Sequence, residues 1–159
     1  MTEREQILTA EYHTLGCKLN FSETSAIGKM LSERGIMRSA KGDIPDIVVI
    51  NTCSVTETAD KKGRQLIRRL ASRYPEAAIV VTGCYAQLKP QEILEIPGVD
   101  IVLGSNEKLR AAEFIEEWMA DRKKRLEVTP FLDIKEFRHS CERGARPRYF
   151  LKVQDGCEY

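Results

Sequence analysis

Three cysteines of this chain each follow a run of apolar residues, and their thiols are the side chains best suited to chemistry. Cys17 follows a run that ends in Leu15, whereas Cys53 and Cys84 follow runs rich in valine and isoleucine. Thiolates are soft ligands that suit iron–sulfur clusters, zinc or copper(I). The three cysteines are separated by 36 and 31 residues, so only the fold can bring them together.

The runs before the cysteines predict the elements that position them. Continuous β-branched runs are typical of parallel strands buried on both faces. Such runs alternate with helical patterns, which predicts an α/β fold with a doubly wound, mostly parallel sheet of the flavodoxin or Rossmann kind. The carboxyl ends of the strands then share one edge, where ligands bind. Three adjacent strand ends span about 10 Å, which suits a metal cluster and exceeds what one disulfide can join.

The metal itself is not determined by the residues. Three thiolates on a four-iron cluster leave one iron open to an exogenous ligand, because such a cluster normally takes four. Zinc sites usually contain closely spaced C-x-x-C pairs, which this sequence lacks. Cysteine is also often a small buried apolar residue without a ligand. A structural zinc site, a labile disulfide used for redox sensing, and incidental cysteines in an interaction domain therefore stay open as alternatives.

Polar residues and glycines flank the cysteines. Asn20 and Ser54 are predicted helix N-caps, each with a glutamate three residues further along. Gly16 and Gly83 directly precede two of the cysteines. A glycine there either lets the backbone approach a bulky ligand or starts an ordinary turn between strand and helix.

The overall composition excludes several classes of protein. With 42% hydrophobic and 31% charged residues among 159, the chain is typical of a globular domain. The net charge of +1 provides no global attraction to nucleic acid or membranes. No apolar stretch is long enough to span a membrane and no signal peptide is present, so we expect a cytoplasmic protein without a membrane partner. The basic stretches at 61–73 and 122–125 are either phosphate contacts or solvated surfaces with local ion pairs.

The pattern changes after residue 125. We predict an α/β domain at 1–125, a linker at 126–148, and a new strand with Cys157 at 149–159, where a further domain begins. Cys141 lies in the predicted linker and is interpreted as an unliganded thiol. His13 and His139 are isolated in the sequence, and a structural or surface role is expected for both.

Four segments carry a resemblance to a known family: T-L-G-C-K-L-N at 14–20 with Ser22 and Glu23 after it, N-T-C-S-V-T at 51–56, T-G-C-Y-A-Q at 82–87, and F-L-K-V-Q-D-G-C at 150–157. In this order they resemble the motifs of the radical-SAM methylthiotransferases. The residues of the first and last segments are most similar to those of the branch that acts on threonylcarbamoyladenosine in tRNA.

The resemblance implies a cofactor set and a reaction. Cys17, Cys53 and Cys84 would hold an auxiliary [4Fe–4S] cluster whose free iron binds the sulfur to be transferred. Cys157 would be the first of three ligands of a second [4Fe–4S] cluster that cleaves S-adenosylmethionine, with one such molecule as radical source and another as methyl donor. The other two ligands would lie beyond Tyr159, so we expect this chain alone to be inactive.

The same resemblance implies a substrate and a partner. The full-length protein would bind tRNA and add a methylthio group at C2 of N6-threonylcarbamoyladenosine, at position 37. Isopentenyladenosine in tRNA and a ribosomal protein are the alternative substrates within the family. The donors of sulfur and electrons are not identified by the sequence.

Overall fold

The fold is an open sheet with helices on both faces. The computed structural model describes residues 7–130. Its strands are β1 (Thr9–Thr14), β2 (Met37–Arg38), β3 (Ile47–Thr52), β4 (Ala78–Gly83), β5 (Ile101–Leu103) and β6 (Arg125–Glu127). Its α-helices are α1 (Lys18–Glu33), α2 (Glu57–Arg73), α3 (Cys84–Leu88), α4 (Pro90–Leu94) and α5 (Ala111–Asp121), with a 3₁₀ turn at Lys108–Arg110. The strands pair in the order β2-β1-β3-β4-β5-β6, and every neighbouring pair is parallel. The predicted α/β class and doubly wound parallel sheet are confirmed.

The two central strands are buried on both faces. Every residue of β3 and β4 is inaccessible to solvent. Val49 packs in one apolar layer with Ile27 of α1 and Ile115 of α5. Its neighbour Ile50 packs in the opposite layer with Ile67 of α2. Because successive side chains of a strand point to opposite faces, both faces require apolar residues, and this explains the continuous β-branched runs.

The first helix begins earlier than the sequence predicts. Cys17 occupies the N-cap position and α1 starts at Lys18, so the prediction of Asn20 as the N-cap is wrong. Gly16 has a φ of +102°, which lets the chain turn into the helix within three residues of the end of β1. The side chain of Asn20 is thereby free for other contacts.

The second helix begins later than predicted. Thr56 is the N-cap of α2, and its side chain accepts a hydrogen bond from the backbone N–H of Ala59 at 3.0 Å. The predicted cap, Ser54, instead donates its hydroxyl to the carboxylate of Asp60 at 2.5 Å. A charged acceptor is the stronger partner for a hydroxyl, which explains why Ser54 does not cap the helix.

The sheet continues past the predicted domain boundary. Leu126 and Glu127, which fall in the predicted linker, belong to β6 and pair with β5. The three residues Arg-Leu-Glu contain no apolar run, because β6 is an edge strand in the described part of the sheet. The linker beyond residue 130 and the predicted strand at 149–159 lie outside the described residues. Within residues 7–130, each helix is too short or too polar for a membrane span.

Candidate functional site

The structure brings the three cysteines to one edge of the sheet. Cys17 lies at the start of α1 after β1, Cys53 directly follows β3, and Cys84 is the first residue of α3 after β4. These three strands are neighbours in the sheet. The last residues of β3 and β4, Thr52 and Gly83, are paired in register, so Cys53 and Cys84 leave the sheet at the same level.

The environments of the three thiols differ. Cys53 is buried, Cys84 is partly buried and Cys17 is exposed, and none of them is in a disulfide. The pKa of the Cys84 thiol is raised to about 11, chiefly by burial and also by the neighbouring groups Cys53, Glu23 and Cys17. The three cysteines are therefore within electrostatic reach of one another. A coordinated metal would deprotonate such a thiol outright, so the high pKa belongs to the metal-free site.

The thiols are distributed along the edge and do not surround one point. Among residues 7–130, no three side chains of histidine, cysteine, aspartate or glutamate are grouped so that they could hold a single metal ion. Structural zinc requires four ligands around one atom. An iron–sulfur cluster takes its thiolates on separate irons, so it accepts ligands from separate strand ends. The donor set of the three free thiols fits such a cluster.

Gly16 packs directly against the second cysteine. A Cβ atom at Gly16 would lie 2.6 Å from Cβ and 3.1 Å from Sγ of Cys53, and 3.0 Å from the amide nitrogen of Asn20. The backbone of the first cysteine motif therefore touches the side chain of the second. Of the two roles predicted for this glycine, the turn is confirmed by its positive φ. The close approach that it permits is made to Cys53, a protein residue.

Gly83 lies where two strand ends meet. Its φ is +100°, and a Cβ atom there would lie 2.2 Å from the backbone oxygen of Thr52 and 2.5 Å from Oδ1 of Asn51. The hydroxyl of Thr52 also donates to the carbonyl of Thr82 at 2.7 Å. This close contact holds the residues before Cys53 and Cys84 against each other.

Two asparagines connect the ends of β1 and β3. The amide of Asn20 donates to the carbonyl of Leu15 at 2.7 Å and to that of Thr52 at 3.1 Å. The amide of Asn51 donates to the carbonyl of Asn20 at 2.9 Å and to the hydroxyl of Thr24 at 3.2 Å. Buried amide groups that are paired in this way stabilise one arrangement of the two strand ends. These hydrogen bonds join the backbone near Cys17 to the backbone near Cys53.

A buried ion pair lies near the same edge. Lys108 donates to Glu23 at 2.5 Å, and the two side chains are 3% and 5% exposed. The charges of both residues act on the thiol of Cys84: Glu23 raises its pKa and Lys108 lowers it. Sequence reasoning missed this pair. The two residues are 85 positions apart, and no local pattern connects them.

A second polar group fixes the loop after Cys53. Asp60 accepts hydrogen bonds from Ser54 at 2.5 Å and from the ammonium of Lys89 at 2.9 Å. Burial alone would raise the pKa of this carboxyl, but the hydrogen bonds from Ser54 and Lys89 outweigh it and hold the pKa below the usual value. The loop that carries Cys53 is therefore connected to α2 and to the residue between α3 and α4.

The remaining predicted residues lie apart from the site or outside the described part. His13 is in β1 and forms a hydrogen bond with Glu11, which agrees with its expected structural role. His139, Cys141 and Cys157 lie outside the described residues. Nothing in the structure bears on their predicted roles.

Comparison with known proteins adds a family and named relatives. Residues 9–104 match the model of the family described as uncharacterized protein family UPF0004. This segment contains all five strands from β1 to β5 and the three cysteines at their edge. The match therefore covers the whole candidate site.

Several relatives are similar over nearly the whole chain. The threonylcarbamoyladenosine tRNA methylthiotransferase MtaB of Bacillus subtilis is 41% identical over an alignment of 157 positions. The alignment covers 94% of this chain and 34% of the relative. The protein of the same name from Aquifex aeolicus is 37% identical over 92% of this chain and 36% of its own. A tRNA-2-methylthio-N(6)-dimethylallyladenosine synthase of Cereibacter sphaeroides is 33% identical over 91% of this chain and 34% of its own. This chain spans about a third of the length of these relatives.

Proposed function

This chain belongs to the UPF0004 family, and from that premise we propose that it is the cluster-binding N-terminal domain of a tRNA methylthiotransferase. The observation that carries the proposal is the arrangement of three free thiols at the carboxyl ends of three adjacent strands. Its relatives over more than nine-tenths of the chain are named as tRNA-modifying methylthio enzymes. The resemblance found in the sequence motifs and the family match support the same conclusion.

Cys17, Cys53 and Cys84 would each contribute one thiolate to an auxiliary [4Fe–4S] cluster. When bound, a cluster with three protein ligands supplies an open iron for the sulfur that is transferred. The protein positions the thiolates through the strand register and the asparagine contacts between β1 and β3. The burial of Cys53 limits access of water to that side of the site.

The radical chemistry would belong to a part of the protein that is outside the described residues. Cys157 would be the first ligand of the second [4Fe–4S] cluster, which acts with S-adenosylmethionine. A C–H bond of an adenine ring is too weakly acidic for a protein base, so the cofactor has to supply a radical and the protein supplies position. The chain described here would contribute the sulfur-carrying site.

The substrate would be an adenosine of tRNA that already carries an N6 substituent. Two relatives named for threonylcarbamoyladenosine are more similar to this chain than the relative named for dimethylallyladenosine, at 41% and 37% against 33% identity. We therefore favour threonylcarbamoyladenosine, modified at C2, over isopentenyladenosine. The donors of sulfur and electrons are not assigned.

Anaerobic reconstitution with iron and sulfide tests the cluster site. We expect about four irons and four sulfides per chain, with a visible absorption band. The triple variant Cys17→Ser, Cys53→Ser, Cys84→Ser should lose them, whereas Cys141→Ser is the matched control and should retain them. One zinc per chain, or no iron in the unaltered protein, would contradict the proposal and favour a structural metal or redox module.

The substrate is tested on the full-length protein. Reduced enzyme is incubated with S-adenosylmethionine and tRNA that carries either threonylcarbamoyladenosine or isopentenyladenosine, and the nucleosides are separated by mass. We expect a methylthio product from the first tRNA, and loss of that product in the triple serine variant. Product from the second tRNA alone would show that the substrate is wrong while the class of reaction is right.

A further inference from the structure

The outer face of α2 carries a row of cations that form no ion pair or side-chain hydrogen bond with the described residues. We define the basic stripe as Lys61, Lys62, Arg68 and Arg69, which are all exposed. Lys61 and Arg68 are seven residues apart, as are Lys62 and Arg69, so the charges form two adjacent lines along the helix. The inner face of the same helix is buried against the sheet through Ile67 and Leu70.

These four cations lie together on one helix face without an ion-pair partner, whereas several other arginines and lysines of the described surface have one. These pairs include Arg34 with Glu116, Arg64 with Glu92, Lys89 with Asp60, Arg110 with Glu113, and Arg125 with Asp121. Within residues 7–130, no carboxylate lies within ion-pair distance of any residue of the basic stripe. Of the basic stretch at 61–73, Arg64 forms an ion pair with Glu92, whereas these four residues are exposed without one in the described part of the chain.

The fold gains no stability from leaving these charges unpaired. Arg69 and Arg73 are four residues apart on the helix, and like charges at that spacing are mildly destabilising. The acidic residues of α2 are both in its first turn, and one of them, Asp60, is already occupied by Lys89. The row of exposed cations presents a positive surface that complements a partner of opposite charge.

The position of α2 connects this row to the candidate site. The helix begins at Glu57, four residues after Cys53, at the same sheet edge as the three thiols. Lys61 and Lys62 are in its second turn, and Arg68 and Arg69 lie about 10 Å further along at 1.5 Å per residue. A polyanion that follows the stripe would thus lead toward the thiol edge.

We propose that the basic stripe binds the phosphate backbone of the tRNA whose base is modified, an inference that rests on the proposed function. The stripe contains no aromatic residue that could stack on a base, so the contact is with phosphates and is independent of base sequence. The exposed large apolar side chains of the described surface are all outside α2, so the stripe has no apolar residue to insert into a lipid surface. A polyphosphate chain is the partner with matching charge and spacing.

The test uses pairs of substitutions that each remove two charges from the full-length protein. Arg68→Gln with Arg69→Gln, and Lys61→Gln with Lys62→Gln, alter the stripe. The matched control is Lys29→Gln with Lys41→Gln, which removes two exposed cations outside α2. Binding of tRNA is measured by fluorescence anisotropy at several salt concentrations, and the iron content and helical circular dichroism of each variant are recorded.

We expect each stripe variant to bind tRNA several-fold more weakly than the unaltered protein at 150 mM salt. The slope of log K against log salt should fall by about 1.4–1.8, because each lost phosphate contact removes about 0.7–0.9. The control variant should keep both the affinity and the slope. Iron content should be the same in all proteins, since no thiol contact is altered.

Each other outcome has a separate meaning. Unchanged affinity and slope in both stripe variants would overturn this inference, while iron content and methylthio product in the same proteins would leave the proposed function standing. Absence of tRNA binding, iron and product in the unaltered protein would overturn both. Displacement of tRNA by polyglutamate as readily as by unmodified RNA would show an acidic protein surface as the partner and would also overturn the inference.

Discussion

Replacing Gly83 by alanine tests how the strand ends position two of the thiols. Gly83 has φ +100° and ψ −169°, a conformation that is essentially restricted to glycine. That strain costs about 1–3 kcal/mol in any other residue. The new Cβ would also lie 2.2 Å from the backbone oxygen of Thr52, so a strand end has to move. Overpacking of this kind costs about 1–3 kcal/mol more, and we expect a total of about 2–6 kcal/mol.

Urea denaturation followed by circular dichroism measures this loss, with Gly42→Ala as the matched control. Gly42 has a similar φ of +95°, but no atom lies within 4 Å of the position of its Cβ. The control therefore shows the cost of a positive φ without the contact. Gly83→Ala should lose about 1–3 kcal/mol more than Gly42→Ala. It should also bind less iron on reconstitution, because Cys84 follows directly.

Equal losses of stability in the two glycine variants would refute the argument. The contact with Thr52 would then be relieved without cost, and the separation of the two strand ends would not depend on Gly83. Normal iron content in Gly83→Ala, together with a large loss of stability, would confirm the predicted cost of the contact and contradict the predicted loss of iron. The strand contact would then stabilise the fold without positioning Cys84.

Three further predictions concern the same edge of the sheet. Gly16→Ala should lower the urea midpoint, because a φ of +102° is strained for alanine, and should lower bound iron on reconstitution, because its Cβ would lie 2.6 Å from Cβ of Cys53. Lys108→Met should cost about 3–5 kcal/mol in urea, since it removes one partner of a buried ion pair, and adding Glu23→Leu should restore part of that loss. Asp60→Asn should reduce the loss of stability between pH 6 and pH 3. The pKa of Asp60 is lower in the folded than in the unfolded protein, so its carboxylate stabilises the fold at pH values above the ordinary pKa of aspartate. That contribution disappears as the pH falls through the folded pKa. A urea midpoint that is equally pH-dependent in both proteins would contradict this.

The sheet and its cysteine edge could be predicted because both follow from burial. The residues at 47–52 and 78–83 have apolar neighbours on both faces, and this leaves a continuous pattern in the sequence. Topology then determines that the residues after these strands are neighbours. β6 left no such pattern, because it is a short edge strand of Arg, Leu and Glu.

The exact start of each helix could not be predicted, because it depends on competition between nearby polar groups. Ser54 and Thr56 are both suitable N-caps, and the choice is decided by Asp60, a partner that the local pattern does not identify as such. From the sequence alone, Asn20 is a suitable N-cap. Its amide donates instead to the carbonyls of Leu15 and Thr52, and Thr52 is brought near only by the fold. The buried pair between Glu23 and Lys108 is hidden for the same reason.

The contacts around the cysteines separate two kinds of motif residue. Asn20, Gly16 and Gly83 are accounted for by hydrogen bonds and close contacts within the protein, which position the chain at the strand ends. The thiol of Cys17 makes no comparable contribution to the fold, since it is exposed and not in a disulfide. Replacement of Cys17 by serine should therefore remove iron without lowering the free energy of unfolding in urea, because Cys17 is exposed and serine is a favoured residue at its N-cap position. Replacement of the glycines should change both, and the contrast distinguishes residues that bind a cluster from residues that build its site.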